Sequence, residues 1–157
     1  MSTNLDTISR TLQSKLEELS EFLRQVKKGF ENLGEEIDHE SLRSALKAIS
    51  MECKQYLKEL HDQFKQIEPR PAASKDDIWQ KMEVKVNEEA DAEKGSEINA
   101  LCVNCETNFN SLYAGVLAEL DPQHSSRELI NFQLYALNCA LMKIKLLNHT
   151  RFEEQHA

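Results

Sequence analysis

Glycine and proline are scarce in this 157-residue chain, four of the first and three of the second. An all-β protein of this length reverses direction roughly every 8–12 residues and needs turn residues each time, so the scarcity excludes a sheet-rich fold. No run approaches the roughly 18 apolar residues that a membrane-crossing helix requires. The opening Met1-Ser2-Thr3-Asn4-Leu5-Asp6 has neither the basic nor the apolar region of a secretory leader. A basic surplus is missing too: 27 acidic against 19 basic side chains leave a formal charge of −8, which on average repels a phosphate backbone. The expectations are a cytoplasmic protein with neither membrane nor nucleic acid as partner. Its four cysteines, Cys53, Cys102, Cys105 and Cys139, are then expected as thiols, because reducing cytosol disfavours structural disulfides.

What the chain does have is helical periodicity. Leu5, Ile8, Leu12, Leu16, Leu19, Leu23, Val26, Phe30 and Leu33 recur in steps of three and four and line one helical face. The spacing predicts a first helix over about 4–33, capped by Ser2, Thr3 or Asn4 and stopped at Gly34. A second stripe, Leu42 to Ile67, predicts a helix over about 40–67 that ends before Pro69 and Pro71. A third stripe, Ile98 to Leu120, predicts a helix over about 97–120. Ser125 and Glu128 have the spacing of a capping box and open a fourth helix over about 126–152. The turns before the second and fourth helices are short and dictate antiparallel hairpins, whereas Glu68 to Gly95 is long. Within it, Ser74-Lys75-Asp76-Asp77 caps a shorter helix over about 76–90 that carries Ile78, Trp79, Met82 and Val86. The predicted fold is all-α: one domain over 1–157, an antiparallel four-helix bundle of ferritin-like arrangement with a long crossover and its short helix between helices two and three.

The fourth helix carries two apolar stripes. Ile130, Leu134, Leu137, Leu141 and Ile144 form one; Phe132, Tyr135, Cys139, Met142 and Leu146 form another, almost opposite at about 100° per residue. Two readings remain open: the crossover helix with Trp79 covers the second stripe, or the stripe is the contact face of a homodimer or another protein partner. Gly29 and Gly115, inside helices where glycine is unfavourable, point either to close backbone approach or to accidental tolerance.

Constellations for chemistry are thin. A di-iron site in such a bundle takes one inward Glu from each of two helices and a Glu-x-x-His pair from each of the others. The core stripes contain no carboxylate, Glu52 is followed three residues later by Gln55, and the formal matches Glu36/His39 and Glu153/His156 fall in a turn and at the tail. Cys102 and Cys105 have the spacing of half a zinc site, yet sit inside a helix with no strand before it, which favours small core residues over ligands or a redox pair. No cofactor or catalytic residue is expected.

Several local patterns resemble an uncharacterised bacterial family of ferritin-like four-helix bundles, a domain of unknown function related to stress proteins. Its carriers, between about Leu19 and Leu147, are Gly29-Phe30 with Glu31 and Glu36, Glu52 with Tyr56, Trp79 with Met82-Glu83-Val84-Lys85, and Cys105-Glu106 followed by Tyr113 and Leu117. The resemblance implies a self-associating bundle without established catalysis. Iron-binding members of the wider superfamily use carboxylates and histidines, and the positions to compare are Glu36, Glu52 and Glu106. Inward histidines are lacking here, and Asn104 stands where family members often carry an acid. The sequence thus supports a non-enzymatic bundle acting by association; a metal-binding or redox bundle with a degenerate carboxylate site is the alternative.

Overall fold

The structure, a computed structural model, describes residues 8–67, 79–83 and 96–156, and the described residues are helical with no strand. Four long helices follow one another: α1 (Arg10–Glu36), α2 (Glu40–Gln63), α3 (Ser96–Glu119) and α4 (Arg127–His156). They have 27, 24, 24 and 30 residues, so each is about 36–45 Å long at 1.5 Å per residue.

Their ends differ from the predicted ones for local reasons. Ser9 is extended, and its hydroxyl accepts the Leu12 amide at 3.0 Å; this cap starts α1 at Arg10 rather than near residue 4. Leu5 and the predicted caps Ser2, Thr3 and Asn4 lie outside the described residues. Gly34 is no stop: it is buried inside α1, which runs on to Glu36. α2 begins behind His39, whose Nδ1 accepts the Leu42 amide at 3.3 Å. It ends at Gln63 rather than 67, because Phe64 leaves helical geometry at φ −125°, ψ 81° and turns in with Ile67 to bury against the core. α4 starts one residue later than predicted. Ser126 precedes it, and its buried hydroxyl has no hydrogen-bond partner, so that side chain does not cap the helix. Arg127 instead closes the end of α3, its Nη1 donating to the carbonyls of Leu117 and Leu120 at 2.9 and 3.1 Å. Of the predicted crossover helix, residues 79–83 are helical; its cap, Ile78, Val86 and the prolines before it lie outside the described residues.

α1 packs on α2 and α3, and α4 packs on the same two. Cross-helix contacts give the directions. Ser50 donates to the Lys27 carbonyl at 2.8 Å while Gly34 faces Leu46, so α1 and α2 are antiparallel. Lys15 pairs with Glu119 at 3.1 Å, and Phe22 meets Phe109 edge-on at 4.9 Å; α1 and α3 are antiparallel as well. Asn110 with Asn138, Glu106 with Lys145 and Asn99 with Asn148 set the same relation for α3 and α4. α2 and α3 therefore run in one direction across a diagonal, which is why a long link has to return the chain along the whole molecule between them.

The space between the helices is filled by large apolar side chains with no exposure, among them Leu16, Leu19, Phe22, Leu23, Phe30, Leu46, Ile49, Phe109 and Ile130. Each such burial contributes about 1.5–3 kcal/mol, which offsets the backbone entropy of ordering the helices. The crossover residues lie over α1 and α3. The Trp79 ring covers Gly29 and meets Phe30 edge-on at 5.0 Å, and Met82 Sδ accepts from Asn108 at 3.4 Å.

Candidate functional site

The second apolar stripe of α4 is uncovered. Phe132, Tyr135, Met142 and Leu146 are 60%, 71%, 58% and 62% exposed, and Cys139 in their midst is exposed too. Trp79 does not reach it. That ring is taken up by α1, where its backbone amide donates to Gln25 Oε1 at 3.0 Å and its indole to Glu83 at 2.7 Å. The reading that the crossover helix covers the stripe with Trp79 is thereby overturned: Gly29, lacking a side chain, offers the flat ring a closer seat than α4 does.

Beside the stripe, between α2 and α4, runs a groove of about 380 Å³ lined by Ala45, Ala48, Glu52, Phe132, Tyr135, Ala136, Cys139, Ala140 and Lys143. The alanines keep its floor low because they project only a methyl group, while Phe132 and Tyr135 form a ridge along it. Glu52 is half-buried there; desolvation pushes its carboxyl above the ordinary range, and a hydrogen bond from the Tyr56 hydroxyl at 3.1 Å pulls the other way.

Behind the groove lies a buried polar chain that the periodicity reading missed. The Tyr113 hydroxyl donates to Gln133 Oε1 at 2.8 Å, and Gln133 Nε2 donates to Glu59 at 3.0 Å and to the Tyr56 carbonyl at 3.4 Å. Gln133 and Tyr113 have no exposure. The signal was there: Gln133 is in phase with Ile130, Leu137, Leu141 and Ile144, and a polar residue on a core stripe calls for partners. Burial raises the Tyr113 and Tyr56 hydroxyls well above the usual tyrosine range, so both serve as neutral donors.

The residues compared with a metal site are not gathered. Glu36 is exposed at the end of α1, Glu52 lies in the groove, and Glu106 is held by Lys145 at 2.6 Å on the α3/α4 surface. Among the described residues, no group of three or more His, Cys, Asp or Glu side chains is placed to hold a metal ion. Cys53, Cys102 and Cys105 are buried free thiols. Desolvation pushes the Cys102 thiol up to about 12 and raises Cys53 and Cys105 as well, which suits small core residues and opposes thiolate chemistry near neutral pH.

A further cavity of about 770 Å³ opens at one end of the molecule, lined by Ile8, Asp62, Phe64, Gln66, Gln123 and His124 among others. There the His124 ring stacks on Phe64 at 6.2 Å. His124 Nδ1 accepts the Ser126 amide at 3.1 Å, so this ring holds the α3–α4 turn. Among the described residues, no helix is long and apolar enough to cross a membrane. Comparison with protein-family models, with curated proteins and with solved structures finds no match to this chain.

Proposed function

We propose that this chain is a four-helix bundle of ferritin-like arrangement that acts by association, with itself or with another protein, through the outer face of α4, and that it performs no catalysis. The observation that carries the reading is the continuous band of exposed apolar side chains on that face. A helix needs one apolar stripe to join its own core, and an exposed second stripe leaves surface in water that a partner would remove. The alternative use of the carboxylates gains nothing from the structure, since Glu106 is neutralised by Lys145 and Glu36 lies at a helix end. A bacterial, stress-related setting belongs to the proposal through the resemblance carried by Trp79, Cys105-Glu106 and Tyr113, and a cytoplasmic location belongs to it through the sequence pattern.

Tyr135→Glu and Met142→Glu test the reading, because both side chains point away from the core. Circular dichroism should stay close to that of the parent chain, and so should the thermal midpoint at concentrations low enough that the parent chain is dissociated, within the roughly 0.5 kcal/mol typical of surface substitutions. The assembled species in sedimentation velocity, or a protein captured in proportion by the parent chain, should disappear. Loss of helicity in either variant would instead make the band part of the core, and unchanged association would remove it as the contact face.

A further inference from the structure

Resting on that reading, we propose that the α4 face is covered by a second copy of this chain, docked antiparallel across a two-fold axis that passes through Cys139. Register favours this pairing. The band residues 132, 135, 139, 142 and 146 advance by three, four, three and four, the average 3.5-residue step of a knobs-into-holes seam. Counted from Cys139, they lie seven and four positions before it and three and seven after. Turned end for end, the set falls on itself to within one residue: Phe132 meets Leu146 of the second copy, Cys139 meets Cys139, and Tyr135 lies within one residue, about 1.5 Å along the helix, of Met142. Each aromatic side chain finds an aliphatic one, and the smallest residue sits on the axis, where the two helices approach most closely.

Shape favours it too. An isologous interface needs projection and recess on one patch, because the same surface serves both copies. The ridge of Phe132 and Tyr135 and the groove floored by Ala45, Ala48, Ala136 and Ala140 share that patch. Area favours it as well. At the exposures given, the four large side chains offer roughly 500 Å², taking about 200 Å² for each whole side chain, more than half of the roughly 800 Å² that one side of a stable interface buries. The groove walls extend it.

Charge chooses the direction. From Leu129 to Thr150, α4 has no acidic residue although the chain carries −8 overall, so the seam escapes the general repulsion between copies. Lys143 borders the groove. A parallel pairing would set the two Lys143 ammonium groups side by side, whereas the antiparallel one separates them by eight residues, about 12 Å along the helix.

The test uses cysteine cross-linking on the full chain with a short bis-maleimide. Cys139 is exposed and Cys53, Cys102 and Cys105 are buried, so the native chain reports on Cys139 alone. Light scattering at micromolar concentration should give twice the 18.1 kDa of one chain, and Cys139 should link to its counterpart. Glu128 and Thr150 are exposed, outside the band and eleven residues either side of Cys139. In a Cys139→Ala background, a mixture of Glu128→Cys and Thr150→Cys chains should cross-link at least tenfold more than either alone, because like positions lie about 33 Å apart. Linking of each variant with itself would overturn the antiparallel geometry while leaving self-association standing. A strict monomer of 18.1 kDa would overturn the second copy as occupant, and association with another protein would then rest on the Tyr135→Glu comparison alone.

Discussion

At the scale of single residues, two helical glycines with the same sequence signature carry opposite consequences. A Cβ on Gly29 would overlap the Trp79 ring, whereas one on Gly115 would meet only the aliphatic tail of Lys15 at 3.6 Å, ordinary contact. Gly29→Ala should therefore displace the indole and lower stability by about 1–3 kcal/mol, the usual cost of overpacking. Gly115→Ala should raise it by about 0.5–1 kcal/mol, because alanine restricts the unfolded chain and favours the helix. Trp79 is the only tryptophan, so Gly29→Ala should also shift fluorescence emission to the red, while Gly115→Ala leaves it unchanged. Urea unfolding followed by that fluorescence checks both. Close approach at Gly29 was legible from the sequence as a glycine placed where helix propensity argues against it. The ring it admits was not, because Trp79 lies some fifty residues away and periodicity does not say which helix a crossover side chain will choose. Gly115 shows the limit of the same inference: nothing packs tightly against it.

At the scale of elements, the apolar stripes fix which faces meet, and the polar chain through Gln133 fixes how α2, α3 and α4 stand along one another. A buried donor and acceptor set is satisfied at one axial offset, whereas leucines tolerate several. Tyr113→Phe leaves Gln133 Oε1 without its 2.8 Å donor and should cost about 1–3 kcal/mol. Gln133→Leu strands the Tyr113 hydroxyl and should cost a similar amount. Their combination should cost less than the sum by about 0.5–3 kcal/mol, since one interaction is removed twice; a denaturant double-mutant cycle with unchanged m values measures it. Four long stripes such as Leu12 to Phe30 and Leu42 to Leu60 repeat often enough to specify helices, and the two stripes of α4 called for a second cover without saying whether the crossover or a partner supplies it. Helix ends rested on single side chains, the Ser9 hydroxyl, the His39 imidazole and the Arg127 guanidinium, each acting through a contact that spacing alone does not select from several capable neighbours. Gln133 was hidden by its own stripe, where Leu134 next to it supplied the apolar residue that the pattern asked for.

For the whole molecule, the balance between its charge and its uncharged seam governs association. Two copies that each carry −8 repel at a distance, and the repulsion is cut as the Debye length falls from about 30 Å at 0.01 M salt to about 8 Å at 0.15 M. The α4 band itself contributes apolar contact, which salt does not weaken. Self-association should therefore tighten with ionic strength, with the apparent dissociation constant dropping several-fold between 0.01 and 0.15 M sodium chloride. A partner recognised by opposite charge would show the reverse trend, because screening would remove its attraction. Sedimentation velocity of the native chain and of Tyr135→Glu across such a series separates the cases: the native chain gains dimer as salt rises, and the variant stays monomeric throughout. The same linkage reaches stability. If dissociation accompanies unfolding, the thermal midpoint of the native chain climbs with protein concentration, by the mass action that binding imposes on folding, and that of Tyr135→Glu does not. A native midpoint independent of both concentration and salt would place the α4 face outside the energetics of the folded protein and leave the two copies without a reason to meet there.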